Sequence, residues 1–207
     1  MFAFPALNHW VQGLNRQRQL GSFMSKDMIR AQLLEARDSL PADTREKLSI
    51  SISNQLLKTL PDNPIRIGSY MAIGSEVDLA SLHTQLLRLP HRLYIPRILS
   101  KTEMEMATLE HEGQLIDGAH GIQTSSQEET ISFDALDWLI MPCSGFDIRG
   151  YRLGMGGGYY DRALEHCGPN APLRIGVAFA LQQSEFEPDQ WDQPFDWIVT
   201  EIGFMRR

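Results

Sequence analysis

Two short segments of this sequence are almost continuously apolar. They read DWLIMP at residues 137–142 and LRIGVAFA at residues 173–180. Strands of this composition are typical of parallel sheets that are buried on both faces. Because parallel neighbours need a long crossover connection, usually a helix, these segments predict an α/β protein.

The rest of the chain alternates between helical and strand-like patterns. Leucine and isoleucine recur at helical spacing in three stretches, residues 29–40, 44–60 and 78–89, with Asp43 or Thr44 expected to cap the second. Further strands are predicted at residues 65–71, 92–98, 103–109 and 195–201. The segment 103–109 alternates with a period of two, which favours a half-exposed edge strand or an antiparallel strand. We therefore expect one mostly parallel sheet with helices on both faces, a Rossmann-like three-layer α/β fold.

Length and charge limit the function. The 207 residues suit a single domain, and a net charge of −7 argues against a nucleic-acid surface. No stretch approaches the roughly 20 apolar residues that would span a bilayer. Cys143 and Cys167 form neither a disulfide framework nor a metal-binding spacing, so we expect a cytoplasmic protein.

The first 24 residues have a composition of their own. They carry Arg16 and Arg18 and no acidic residue, a faint likeness to an organelle transit segment, but they lack the basic start and apolar core of a secretory signal. We expect residues 1–24 to be a flexible leader, or translation to begin at Met24. The folded domain is expected over residues 25–207.

The most unusual segment is GYRLGMGGGYYDR, residues 150–162, between a predicted strand and a predicted helix. Glycines allow the backbone to turn sharply and approach a ligand closely, although a tight structural turn would also use them. Arg152 adds a positive fork suited to phosphate, and Asp161 is well placed for Mg²⁺ beside nucleotide phosphates. The segment is neither a Walker loop nor a dinucleotide fingerprint, because no Gly-Lys-Ser/Thr follows and Tyr159 replaces the third glycine.

The segment GYRLGMGGGYYDRAL resembles the signature of 5-formyltetrahydrofolate cyclo-ligases, Gly-x-Arg-Leu-Gly-x-Gly-x-Gly-Tyr-Tyr-Asp. Other segments agree with the family in the same order: KDMIR at 26–30, SEVDLASL at 75–82, IGVAFALQ at 175–182 and WDQPFDWIVTE at 191–201. The resemblance covers about residues 25–201. It implies an enzyme that uses ATP to close 5-formyltetrahydrofolate to 5,10-methenyltetrahydrofolate, releasing ADP and phosphate.

The resemblance also implies roles for individual residues. Those implied to bind ATP are Lys26, Arg30, Arg152, Leu153, Gly154, Met155, Gly156, Gly157, Gly158, Tyr159 and Tyr160. Those implied to contact the folate are Met71, Glu76 and Tyr159, and the implied Mg²⁺ ligands are Asp161 and Asp192. Arg152 and Tyr160 are the implied catalytic residues.

The glycine run departs from the family in one respect. Many members carry a second basic residue there, whereas this chain has Met155 and Gly157. More of the phosphate-binding charge is then left to Lys26, Arg30 and Arg152.

Two other functions suit a sheet of this kind. A sugar-phosphate isomerase would need a base and a phosphate site but no ATP. A non-catalytic folate- or nucleotide-binding protein would keep the pocket without turnover. We expect a monomer that binds neither nucleic acid nor membranes.

Overall fold

The structure, a computed structural model, describes residues 25–165, 167–168, 171–190 and 192–207. The leader expected at residues 1–24 lies outside the described residues.

The described residues form four α-helices: α1 (Lys26–Asp38), α2 (Ala42–Thr59), α3 (Ala80–Leu86) and α4 (Tyr159–Glu165). The Ser25 hydroxyl caps α1 by accepting a hydrogen bond from the Met28 amide. The predicted cap of α2 was wrong, because the helix begins directly after Pro41 and Asp43 lies within its first turn. No helix among the described residues is long and apolar enough to cross a membrane.

Twelve strands are formed by the described residues. They are β1 (Arg66–Gly68), β2 (Arg92–Ile98), β3 (Met104–Leu109), β4 (Leu115–Asp117), β5 (Gln123–Ser125), β6 (Thr130–Ile131), β7 (Trp138–Pro142), β8 (Gly145–Phe146), β9 (Arg152–Leu153), β10 (Leu173–Val177), β11 (Trp197–Thr200) and β12 (Gly203–Arg206). The prediction for residues 92–98 is confirmed. The strand predicted at residues 65–71 ends at Gly68, and the next three residues leave the sheet. The apolar pattern continues past Gly68 because Tyr70 is buried without being in a strand.

Eight strands form one sheet in the order β12-β11-β10-β7-β1-β2-β3-β6. The five strands from β11 to β2 are parallel, and β12, β3 and β6 are antiparallel additions at the edges. For residues 103–109 the sequence predicted either a half-exposed edge strand or an antiparallel strand. β3 is antiparallel and lies between β2 and β6. The chain passes from β1 to β2 on one side and later places β7 on the other side of β1. This is a topological switch point, where the carboxyl ends of the strands leave a crevice.

Each face of the sheet packs into its own apolar cluster. Along β7, Ile140 lies in one cluster and Leu139 and Met141 in the other, because successive side chains of a strand point to opposite faces. The first cluster includes Ile52 of α2 and residues of α3, and the second includes Leu164 of α4. The expected layers of helix, sheet and helix are thus confirmed.

Candidate active site

A cleft of about 980 Å³ opens at the carboxyl ends of β1 and β7, the switch point of the sheet. Tyr70 and Met71 enter it directly after β1, and Pro142 and Cys143 enter it at the end of β7. Every residue that the sequence assigned to ATP, folate or metal lines this one cleft. The structure therefore brings together residues that lie more than a hundred positions apart in the chain.

The glycine loop lies between a short hairpin and α4. Strands β8 and β9 pair antiparallel and place Arg152 at the start of the loop, and Tyr159 begins the helix. Gly156 and Gly158 have φ angles of +92° and +65°, which L-residues with a side chain rarely adopt. These two turns explain why the loop is built from glycine. Among the described residues, the amides of Gly156, Gly157 and Gly158 have no hydrogen-bond acceptor, so they are available to an anion.

Arg152 is a buried guanidinium at one wall of the cleft, with its side chain only 5% exposed. Its Nη2 donates a hydrogen bond to Oδ1 of Asp161, and the group lies 5.8 Å from the centre of the Tyr160 ring. Among the described residues, no acceptor is present for the buried Nε. Leaving a buried donor unpaired costs about 1–3 kcal/mol, which an anion bound in the cleft would offset.

Lys26 and Arg30 extend from α1 into the cleft. Nζ of Lys26 donates to Oδ2 of Asp192 at 2.6 Å and to Oδ2 of Asp189 at 2.7 Å. Burial alone would lower the pKa of Lys26, but the two carboxylates outweigh it and raise the pKa above its usual value. Nε of Arg30 donates to the carbonyl oxygen of Gly154 at 2.8 Å. Lys26 and Arg30 lie four positions apart and so share one helical face. Arg30 contacts the glycine loop, and Lys26 contacts Asp189 and Asp192.

Asp189 is a cleft residue that the sequence analysis did not identify. Its backbone amide donates to Oδ2 of Asp192 at 2.8 Å, so the two acids lie in one turn and share the Lys26 ammonium. The spacing of the two aspartates was visible in the sequence. Their common partner on α1 was not, because it lies 163 residues from Asp189.

Arg162 was also missed, although it directly follows the family signature. Its Nη2 donates to the carbonyl of Gly157 at 2.7 Å, and its Nε donates to the carbonyl of Thr102 at 3.2 Å. Tyr159 lies under this guanidinium, and its hydroxyl donates to the carbonyl of Ser100 at 3.2 Å. The start of α4 therefore fastens the glycine loop to the turn between β2 and β3.

Part of the cleft lining is apolar. This part comprises Met71, Ile73, Pro96, Ile98, Met104, Ala119, Ile122 and Pro142. Glu76 stands out here because it is a carboxylate only 8% exposed. Burial raises the pKa of Glu76, and the amide of Ile73, which donates to its Oε2 at 3.0 Å, opposes that rise. A planar, amide-like heterocycle with an apolar face would suit this part of the cleft.

Tyr160 and Cys143 are neutral groups that line the cleft. Burial raises the pKa of the Tyr160 phenol, and it raises the pKa of the Cys143 thiol to about 12. A thiol with this pKa is protonated at neutral pH and is a poor nucleophile. Cys143 is therefore not a candidate nucleophile.

The two predicted metal ligands both face cations in this structure. Asp161 pairs with Arg152, and Asp192 pairs with Lys26. No group of three or more His, Cys, Asp or Glu side chains suited to a metal is found in the part of the chain that the structure describes. Mg²⁺ at nucleotide sites often uses only one or two carboxylates together with substrate phosphates, and this pair of oxygen donors fits that requirement.

Comparison with known proteins decides the family. A sequence model of the 5-formyltetrahydrofolate cyclo-ligase family matches residues 23–201. The chain belongs to this family. The cyclo-ligase of Mycoplasma pneumoniae is 28% identical over 181 residues, which cover 86% of this chain and 99% of that protein. The cyclo-ligase of Mus musculus is 27% identical over 190 residues, covering 86% and 94%.

A solved structure of the family has the same fold. The NMR structure of the Aquifex aeolicus 5,10-methenyltetrahydrofolate synthetase superimposes with a TM-score of 0.78 at 32% identity, covering 88% of this chain and 93% of that one. The expected family is confirmed by these matches. The isomerase and the non-catalytic binding protein are not favoured, because the matched cyclo-ligases align along nearly their whole length.

Proposed function

We propose that this protein closes the ring of 5-formyltetrahydrofolate to give 5,10-methenyltetrahydrofolate, with ATP converted to ADP and phosphate, in one-carbon folate metabolism. Membership of the cyclo-ligase family supports this reaction. The structural observation that carries it is one cleft lined by the buried carboxylate of Glu76, the buried guanidinium of Arg152 and the glycine loop. The apolar part of the lining suits a pterin ring, and the glycine loop suits phosphates.

In the proposed reaction the formyl oxygen attacks the γ-phosphorus of ATP, and the bond from that phosphorus to the β–γ bridging oxygen breaks to release ADP. N10 then attacks the activated formyl carbon. The carbon–oxygen bond breaks to release phosphate, and N10 loses its proton. No protein nucleophile takes part, so the enzyme contributes alignment and charge stabilisation. The protonated thiol of Cys143 is consistent with this chemistry.

At the phosphate end, Arg152 is assigned to the transferred phosphoryl group and Lys26 and Arg30 to the remaining phosphates. The unpaired Nε of Arg152 and the available loop amides support this assignment. The nucleotide is assigned to the run from Leu153 to Tyr160, with the Tyr160 phenol beside the reacting groups. Since Met155 and Gly157 replace the basic residue common in the family, Arg152 carries more of the stabilisation.

At the folate end, Glu76 is assigned to the N–H groups of the pterin ring. A carboxylate accepts two hydrogen bonds from an amide-like edge, and its low exposure makes the pair strong. Met71 is assigned to the apolar face of the substrate. Tyr159, held at the start of α4, is assigned to both the folate and the nucleotide.

Asp161 and Asp192 are assigned to a magnesium ion that enters with ATP. When bound, Mg²⁺ would neutralise negative charge on the phosphates during transfer. Arg152 and Lys26 would then exchange their present carboxylate partners for phosphate oxygens. Both cations already lie beside these acids.

The setting of the enzyme is also part of the proposal. We propose that it acts in the cytoplasm as a monomer, without nucleic-acid or membrane partners, and that residues 25–207 form the catalytic domain behind a leader of 24 residues. The net charge of −7 supports the lack of a nucleic-acid partner. Sedimentation of the purified protein would report its oligomeric state.

An optical assay tests the reaction. Purified protein is mixed with 5-formyltetrahydrofolate, Mg²⁺ and ATP, and the near-ultraviolet absorption band of the methenyl product is followed against a matched cuvette without ATP. We expect the band to grow only when ATP is present, with ADP released in equal amount. Product formation without ATP, or folate binding without ADP release, would contradict the proposal.

A further inference from the structure

Arg37 is a buried charge outside the cleft lining. It lies near the end of α1 and is 4% exposed. Arg37 and Ile29 are the two buried residues of that helix. Arginine is rarely buried to this extent without a partner. Its Nε donates to Oγ of Ser75 at 2.9 Å, and that hydroxyl donates to Oδ1 of Asp38. The end of α1 is thereby fastened to the segment that follows β1.

Ser75 directly precedes Glu76 in a tight turn. The amide of Glu76 donates to the carbonyl of Ile73 at 3.2 Å, while the amide of Ile73 donates to Oε2 of Glu76. Gly74 has a φ of +60°, which closes the turn. The hydrogen bond from the Ile73 amide holds the carboxylate of Glu76, which lines the cleft. The turn therefore presents the carboxylate of Glu76 to the cleft, and Arg37 holds the turn through Ser75.

The ionisable groups around Glu76 come from four parts of the fold. Arg37 faces it from α1, Tyr70 from the segment after β1, Cys143 from the end of β7, and Tyr160 from α4. Burial raises the pKa of each of the three neutral groups, so they carry no charge at neutral pH. Arg37 is the one cation among these four, and its charge opposes the effect of burial on the pKa of Glu76.

We propose that Arg37 is a positioning residue for folate recognition, which holds the Glu76 turn through Ser75 and keeps the carboxylate charged. This inference rests on the proposed function, in which Glu76 accepts hydrogen bonds from the pterin N–H groups. A protonated Glu76 would present a hydroxyl donor to those groups and would lose one acceptor. The charge on Arg37 thus acts on folate affinity without touching the folate.

The test is the pH dependence of binding of 5-formyltetrahydrofolate, measured by equilibrium dialysis from neutral pH down through the acid range in which the protein stays folded. For the Arg37→Met variant we expect the acid midpoint of binding to rise, since loss of the positive charge removes one of the two effects that oppose burial at Glu76. ATP affinity is expected to stay unchanged. The exposed Arg92, paired with Glu129, gives a matched control as Arg92→Met.

Two further variants keep the proposal testable if Arg37→Met does not fold. Ser75→Ala removes the hydrogen bond and leaves the charge, so binding should weaken with an unchanged midpoint. Glu76→Gln cannot titrate, so its binding should lose the acid limb. A folded Arg37→Met protein with the wild-type midpoint, or a Glu76→Gln protein that keeps the acid limb, would overturn the inference. If wild-type protein fails to bind 5-formyltetrahydrofolate at all, the proposed function fails instead.

Discussion

Arg152 and Asp161 form an ion pair across the mouth of the glycine loop, with Nη2 of the arginine donating to Oδ1 of the aspartate. The side chains are 5% and 24% exposed, so water screens the pair only in part. One residue is assigned to phosphate and the other to magnesium. In the ligand-free protein they neutralise each other, which offsets the cost of holding two charges in a partly buried cleft.

Replacing Arg152 tests its assignment to the transferred phosphoryl group. Arg152→Ala should reduce kcat by about 100- to 1000-fold, or about 3 kcal/mol, as does loss of one preorganised donor to a developing negative charge. Steady-state kinetics in the optical assay measure it. Arg149→Ala is a control, because Arg149 pairs with Asp147 and does not line the cleft. Unchanged turnover in Arg152→Ala would exclude the phosphate role.

The carboxylate of the same pair tests the metal assignment. Asp161→Asn keeps the shape of the side chain but removes its charge, so we expect a higher Mg²⁺ concentration for half-maximal activity. Binding of 5-formyltetrahydrofolate, measured by calorimetry without nucleotide, should be nearly unaffected because Asp161 is not among the residues assigned to the folate. Equal losses in both measurements would identify Asp161 as a structural residue.

Arg162 offers a test of the fastening between the glycine loop and the β2–β3 turn. Arg162→Gln should raise the KM for ATP by about tenfold, since a charge-assisted hydrogen bond contributes about 1.5–3 kcal/mol and tenfold corresponds to about 1.4 kcal/mol. The KM for both substrates is measured, with Arg92→Gln as a matched exposed control. A wild-type KM for ATP in a folded Arg162→Gln protein would show that the fastening has no part in binding.

The buried His83 should make the free energy of unfolding depend on pH. Burial lowers its pKa to about 4, and its Nε2 lies 2.8 Å from Oγ of the buried Ser69. The unfolded chain binds the proton more readily, so the stability this group contributes is complete above about pH 6.5 and is lost as the pH falls through about 4. The loss amounts to about 3 kcal/mol. Urea unfolding at both pH values should show a smaller decrease in the free energy of unfolding for His83→Gln than for the wild type. An equal decrease in the two proteins would disprove this role of His83.

Much of the fold was predictable because its signals are local. The strand at residues 92–98 and the central strands β7 and β10 follow from short apolar runs. The strand predicted through Met71 ends at Gly68 instead, because a buried residue that lines a cleft has the same apolar character as one in a strand. The helix after Pro41 formed without the predicted side-chain cap, since tertiary packing of Ile52 and Leu56 supports it.

The residues that the sequence assigned to the site all line one cleft, but their pairing was not predictable. The glycine-rich signature identified Arg152 and Asp161, but nothing in it indicated that they form an ion pair. Lys26 and Asp192 are separated by 166 residues, and Arg37 and Ser75 by 38. Neither contact has a signal in the local pattern of side chains.

The sequence by itself determined the types of the elements, the need for glycine in the loop and the family of the protein. Hydrophobic periodicity, turn chemistry and motif spacing all act over a few residues, so they can be read along the chain. Only the tertiary structure decided the strand order, the position of the cleft at the switch point between β1 and β7, and the partners of each buried charge. These depend on which distant surfaces pack together, and that choice is made by the burial of apolar surface over the whole sheet.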